Sequence, residues 1–332
     1  MAMINFSECD RRRKGYSGAN GDKIAVIYNN ELYMLKFPPS AKINKEMSYT
    51  NGVLSEYIGS HIFNILGIKA QETLIGIYDT GKKIKEVVAC KDFTDLANGI
   101  SLLDFASLKN QIIDSERHGF GTDLLEILQT IASQSIMDPV DLEDHFWKIF
   151  VVDELIANPD RHNGNWGFLY NAKTDTLTLA PIFDCGSSLY PQADEDIMRR
   201  CLSNDEEVKR RIYGIMNSAI QYEGKRINYF NFNEREMQNY PGYIHALLTM
   251  APLINQRWDQ ICDTVKNAPE IADIQRDFLL LMLSRRKELL IDRAYEKATE
   301  LTHCEIQNTE INQYDLEESP ADNTGFDPAD DE

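Results

Sequence analysis

The chain has 332 residues, 43% of them apolar and 26% charged, the composition of a globular protein long enough for two lobes with separate cores. No run approaches the roughly 18 uninterrupted apolar residues of a membrane helix, so no transmembrane segment is expected. A net charge of -19 argues against direct nucleic-acid binding, which draws its affinity from cationic contacts to phosphate.

The first residues lead through Arg11-Arg12-Arg13-Lys14 into a glycine-rich stretch, without the apolar core and small-residue cleavage site of a secretory signal. Six cysteines are scattered without CxxC pairs, which suits neither a metal site nor a disulfide framework. The expected location is the cytoplasm of the producing cell, and any export would proceed without a recognisable signal peptide.

Lys23 to Phe37 reads as a hairpin around Asn29-Asn30, ended by Pro38-Pro39. Apolar residues at helical spacing from Val53 to Leu66, closed by Gly67, predict one helix. Thr73 to Tyr78 and Ile84 to Phe93 predict two more strands. Beyond Asp92 the pattern turns to long amphipathic helices at Asp123–Ile136, Val140–Ala157, Tyr243–Val265 and Ile271–Ala298. One polar loop, a short hairpin (Trp166–Tyr170 and Thr176–Ala180) and a second polar loop interrupt them. Strands followed by helices predict an α+β fold of two lobes. Its expected parts are a strand-rich lobe over 1–93, a helical lobe over 94–304 and an acidic tail over 305–332. The tail carries ten acidic residues and no Lys or Arg, and is read as disordered.

Phosphoryl transfer from ATP needs a carboxylate to orient the attacking hydroxyl and oxygen ligands for magnesium. It also needs a lysine on the phosphates and a glycine-rich backbone over them. Candidates occur in workable order: the glycines of 15–21, Lys36 on the second strand, Glu56 on the following helix, Asp160 and Asn165 in the first polar loop, and Asp184 in the second. Taken singly each has an ordinary explanation: a flexible turn, a solvent-face lysine, an exposed helix glutamate, an Asx-rich turn. Together they weigh toward a kinase. Asp160 and Asn165 stand five residues apart, as base and metal ligand do in protein kinases, and Asp184-Cys185-Gly186 has the shape of D-F-G with Cys for Phe. The hairpin between the loops would return the chain and bring Asp184 back to them. His162 reads as a histidine hydrogen-bonded within its loop, since His118, His145 and His245 do not complete a metal spacing.

At these residues the chain resembles the HipA-like serine/threonine kinases of bacteria. Their catalytic loop D-x-H-x-x-N matches Asp160, His162 and Asn165, and their later apolar-Asp motif matches Phe183-Asp184. Ser17-Gly18-Ala19-Asn20-Gly21-Asp22-Lys23 is similar to the family's A-G-x-Q-x-K element, and Tyr33-Met34-Leu35-Lys36 to its lysine strand. The resemblance implies a two-lobed protein-kinase-like fold, ATP and magnesium as cofactors, and a protein substrate with a serine or threonine acceptor. It makes Asp160 the base, and Asn165 and Asp184 the metal ligands. The nucleotide would meet Ser17, Gly18, Ala19, Asn20, Gly21, Lys23, Lys36, Glu56 and His162, with its adenine near Lys91, Asp92 and Phe93.

The compact length and the start at the glycine-rich loop look like the stand-alone, cell-translocating kinase A type. Full-length HipA toxins carry a further N-terminal subdomain and work with a DNA-binding antitoxin. This chain is expected to lack room for that subdomain, which leaves an antitoxin partner open. The family's autophosphorylated serine has Gly15 at its matching position, with Ser17 nearby as the candidate. Asp160-Arg161-His162 and Asn165 also resemble the loop of phosphoinositide kinases, which makes a lipid kinase the second reading. A nucleotide-binding scaffold without catalysis is the third.

Overall fold

The structure is a computed structural model that describes residues 3–16, 23–38, 51–113 and 118–304. Ser17, Gly18, Ala19, Asn20, Gly21 and the tail 305–332 lie outside the described residues.

Two short strands, β1 (Ile4–Asn5) and β2 (Asp10–Arg12), precede the expected hairpin of β3 (Lys23–Tyr28) and β4 (Glu31–Lys36). Asn29 and Asn30 both have positive φ, 50° and 64°, as the central residues of a type I′ hairpin turn must. Helix α1 (Gly52–Ile65) and strands β5 (Thr73–Asp79) and β6 (Ile84–Lys91) complete the small lobe. Its sheet has the order β1-β5-β6-β4-β3-β2. Side-chain alternation along these strands makes two faces. On one, Val26, Tyr33, Leu35, Val87 and Ala89 form a small core with Phe6 and Phe37. On the other, Ile75, Val88 and Cys90 meet Ile58, Ile62 and Phe63 of α1, in a core that continues into the large lobe.

The large lobe begins with β7 (Ile100–Asp104), α2 (Phe105–Ile112), α3 (Leu124–Ser133) and α4 (Pro139–Ile156). The Asp138 side chain caps α4 on the Val140 N–H and Pro139 takes the first turn, where its missing N–H costs nothing. Helix α4 is almost wholly buried toward its end, and Trp147 packs against Phe150, Tyr240 and Tyr243. The hairpin expected between the polar loops is β8 (Gly167–Asn171) and β9 (Thr176–Leu179). Then follow α5 (Glu195–Ser203), α6 (Asp205–Arg210), the pair β10 (Gln221–Tyr222) and β11 (Lys225–Arg226), and α7 (Tyr229–Arg235). Helices α8 (Pro241–Gln256), α9 (Trp258–Lys266) and α10 (Asp273–Arg286) close the lobe.

Two expected helices differ from those observed. Tyr243–Val265 is not one helix but α8 and α9. The chain turns at Arg257, whose N–H reaches both Leu253 O and Asn255 O, while the apolar period runs on unbroken through Ile254, Trp258 and Ile261. Ile271–Ala298 starts as α10 and passes through a π turn at Lys287–Asp292 before the helix resumes to residue 304. The extra residue of a π turn shifts the apolar stripe without ending it.

Candidate active site

Alternation along β4 buries Tyr33 and Leu35 in the small core and turns Lys36 to the opposite face, toward α1. Its Nζ lies 3.0 Å from Glu56 Oε2 and 2.9 Å from Asp184 Oδ1. Glu56, 1% exposed, lies on the buried side of α1. Burial opposes the charge on Lys36, yet the Asp184 and Glu56 carboxylates overcome it and hold its pKa well above the ordinary lysine value. Lys36 in turn holds the Asp184 carboxyl down to about 2, against the effect of burial. Lys23 pairs with Lys36 across the β3–β4 register, and burial followed by the Lys36 charge lowers its pKa.

Helix α4 stops at Ala157, which takes a left-handed φ of 55°, and Asn158 N–H closes back on Asp153 O at 2.9 Å. The catalytic-loop candidates follow at once. Asp160 N–H donates to Asn158 Oδ1 at 3.1 Å, and Asn158 Nδ2 donates to Asp153 Oδ1 at 2.9 Å. Asn165 Nδ2 donates to Asp160 O at 2.8 Å, so the amide oxygen is the end left to meet a cation. His162 Nδ1 accepts the Gly164 N–H at 3.0 Å, inside the loop.

Arg161 fastens this loop to the next one. It is 5% exposed and pairs with Asp153 through Nε at 3.0 Å and Nη2 at 3.3 Å. Its Nη1 donates to Asn165 O at 2.9 Å and to Phe183 O at 2.5 Å, the first of these residues one metal-ligand candidate and the second the neighbour of the other, Asp184. A planar guanidinium has the several fixed donors this needs, whereas an ammonium is a single point. Asp184 has φ 58°, a left-handed conformation that turns its carboxylate back toward Lys36. Gly59 makes room for that loop: a Cβ there would stand 2.8 Å from Cys185 Cβ. Ser187, three residues past Asp184, donates its hydroxyl to Asp160 Oδ2 at 3.2 Å.

Of the expected adenine-side residues, Lys91 and Asp92 have their charged groups engaged by other side chains. The Lys91 ammonium pairs with Glu31 at 2.7 Å and Glu72 at 3.4 Å. The Asp92 carboxylate is taken by Lys14 at 2.6 Å, Tyr16 at 2.7 Å and Thr94 at 2.7 Å. Phe93 sets its ring 5.8 Å from that of Phe183, beside Asp184.

The donor set fits magnesium better than zinc. Among the described residues no three His, Cys, Asp or Glu side chains are grouped to hold a metal. A cation at Asn165 and Asp184 would meet an amide oxygen and a carboxylate, the hard oxygen donors that suit magnesium. Among the described residues Glu56 Oε1 is buried without a hydrogen-bond partner, and it is Oδ1 of Asp184 that contacts Lys36.

Sequence reasoning missed Asp153, Asn158 and Ser187 as parts of this site and gave Arg161 no role. One signal was present: Asp153 is an aspartate inside the apolar run Phe150–Ile156, where a carboxylate needs a buried partner.

The HipA-like C-terminal domain family matches residues 16–268. The serine/threonine-protein kinase CtkA of Helicobacter pylori is 45% identical over 317 residues, 95% of this chain and 94% of that one. The crystal structure of the H. pylori proinflammatory kinase CtkA is similar with a TM-score of 0.82 and 46% identity, over 90% of this chain and 98% of that chain. The Shewanella oneidensis MR-1 complex of HipA, HipB and operator DNA contains a chain that is similar in fold alone. Its TM-score is 0.50 at 13% identity, over 89% of this chain and 70% of that chain. On these matches the chain belongs to the HipA-like C-terminal domain family and is an enzyme of the serine/threonine-protein kinase class.

Proposed function

We propose that the chain transfers the γ-phosphoryl group of magnesium-bound ATP to serine or threonine hydroxyls of protein substrates, itself included. Asp160 orients the acceptor hydroxyl and takes its proton, Lys36 holds the phosphates, Glu56 fixes Lys36, and Asn165 and Asp184 bind the metal. The magnesium, when bound, neutralises charge on the phosphate oxygens. The boundary between the lobes is placed at Phe93.

The observation that carries this reading is the Lys36–Glu56–Asp184 cluster, formed between residues 20 and 148 positions apart in the chain. An ion pair between a strand lysine and a helix glutamate is the arrangement phosphate-binding kinase lysines require. Asp184 joins it from the loop that Arg161 ties to Asn165. Positioning and electrostatics are most of what a phosphoryl-transfer catalyst supplies, and the Arg161 fork between the two loops supports such positioning.

Radiolabel transfer from ATP and magnesium tests the reading, with casein and phosphoinositide vesicles offered side by side to wild type and Asp160→Ala. The expected result is label on casein and on the kinase, lost by at least about a thousandfold in the variant. Retained turnover in a clean Asp160→Ala preparation would overturn the base assignment, and label on the vesicles alone would overturn the acceptor. ATP binding with no transfer by wild type would favour the non-catalytic scaffold.

A further inference from the structure

The Ser187 hydroxyl reaches Asp160 across two loops 27 residues apart in the chain, donating to Oδ2 at 3.2 Å. The residues after it are fixed. Ser188 N–H closes a turn on Cys185 O at 3.0 Å, Ser188 Oγ donates to the same oxygen at 2.7 Å, and Leu189 N–H reaches Ile156 O on α4 at 2.8 Å. Ser187 itself is 9% exposed. The Asp160 main chain is held as well, its backbone N–H donating to Asn158 Oδ1.

A carboxylate that serves as base has two oxygens and one productive orientation. Free rotation about its last bond would average the reactive oxygen out of line with the acceptor. A hydroxyl donor on one oxygen stops that rotation and leaves the other for the substrate. We propose that Ser187 is a positioning residue for Asp160: its hydrogen bond holds Oδ2 so that Oδ1 faces the acceptor hydroxyl. This rests on the assignment of Asp160 as base. In the transfer step the acceptor proton passes to Asp160 Oδ1 while the new oxygen–phosphorus bond forms and the bond to ADP breaks. Ser187 keeps its own proton throughout.

The test measures transfer from magnesium-ATP to casein and to the kinase itself by wild type, Ser187→Ala and Ser187→Thr, with magnesium-ATP affinity by calorimetry and a thermal melt for each. The expected result is a kcat about tenfold lower in Ser187→Ala, an ATP affinity within about twofold of wild type, and recovery to within about threefold in Ser187→Thr, which restores the hydroxyl. Should Ser187→Ala not fold, Ser187→Cys keeps the volume with a weak donor and is expected to lose rate in the same way. Wild-type kcat in the variant that folds, or a parallel loss of ATP affinity without rescue by threonine, would sink this inference alone. Phosphate found on Ser187 by mass spectrometry would overturn it as well, by making the hydroxyl an acceptor. Wild type that labels neither casein nor itself would instead bring down the kinase reading beneath it.

Discussion

The end of α4 that leads into the Asp160 loop also carries a buried acid whose proton can be located by counting. Asn233 Nδ2 donates to Glu154 Oε1 at 2.8 Å, and the Tyr243 hydroxyl lies 3.0 Å from Glu154 Oε2 and 2.7 Å from Asn233 Oδ1. A phenol has one proton, so with Glu154 ionised the hydroxyl leaves one of two buried acceptors unserved. With Glu154 protonated a ring closes: Glu154 donates to Tyr243, Tyr243 to Asn233, and Asn233 back to Glu154. Burial independently raises the Glu154 pKa from 4.5 to about 7, against the opposing influence of Asn233, Tyr243 and Arg286. Arg286, 1% exposed, turns its Nε and Nη2 to the Glu154 main-chain oxygen, with its guanidinium 5.8 Å from the Tyr229 ring centre. Asp153 is committed to Arg161.

A carboxyl whose folded pKa is raised contributes stability that is fully present below the unfolded value, near 4.5, and lost as pH rises through about 7. At about 1.4 kcal/mol per unit, roughly 2 to 3 kcal/mol disappears between pH 5 and pH 8. Glu154→Gln should remove that dependence, because the amide nitrogen can donate to Tyr243 and its oxygen accept from Asn233. The assay is urea unfolding of wild type and variant across that range, read as their difference. Subtraction cancels other groups, such as His145, whose pKa burial lowers to about 4. The two proteins should be near equal at pH 5 and diverge toward pH 8, the variant becoming the more stable. A pH-independent difference, or a Gln variant as unstable at pH 8 as Glu154→Ala, would refute the ring.

Arg161→Lys should keep the fold but lower kcat about a hundredfold, because one ammonium cannot serve Asp153, Asn165 O and Phe183 O together. Activity within twofold of wild type would show that the two loops hold their places without the fork. Gly59→Ala should cost about 1 to 3 kcal/mol in unfolding experiments and reduce transfer, since its Cβ would stand 2.8 Å from Cys185 Cβ and 3.0 Å from Ser188 Oγ. An unchanged unfolding midpoint would mean that α1 withdraws at little cost.

Much of the fold was legible because its signals are local. The Asn29-Asn30 pair states its turn in two residues, and α4 carries its own cap and apolar faces. Strand β7 escaped because nothing nearby marks it. Ile100-Ser101-Leu102-Leu103-Asp104 becomes a strand by pairing with β8, some 67 residues on, and Leu102 remains exposed. The short β1 lies parallel to β5, a partner that no local pattern names. Among the site candidates, Lys36, Glu56 and Asp184 were readable as residue types in order, and the structure brings those three together. The residues that hold the site in shape were not readable: Arg161 acts through Asp153 and two main-chain oxygens, and Ser187 through an aspartate 27 positions away.

The cysteine where D-F-G has phenylalanine follows from how closely α1 approaches the Asp184 loop. Cys185 is fully buried, and only the missing Cβ of Gly59 lets the helix settle against it. A phenylalanine there would push α1 outward and draw Glu56 away from Lys36. The N-terminal end of α1 is fastened to the large lobe as well. Asn51 N–H donates to Pro191 O at 3.1 Å, Asn51 Nδ2 to Ala193 O at 2.8 Å, and Gln275 Nε2 to Asn51 Oδ1 at 3.0 Å. Helix α1 is thus held by both lobes, its apolar side packed on β5 and β6 and its N-terminal end hydrogen-bonded to the large lobe. Any movement of the lobes that preserves these bonds must occur between α1 and the sheet, and the Lys36–Glu56 distance, 3.0 Å here, is the contact that would register it.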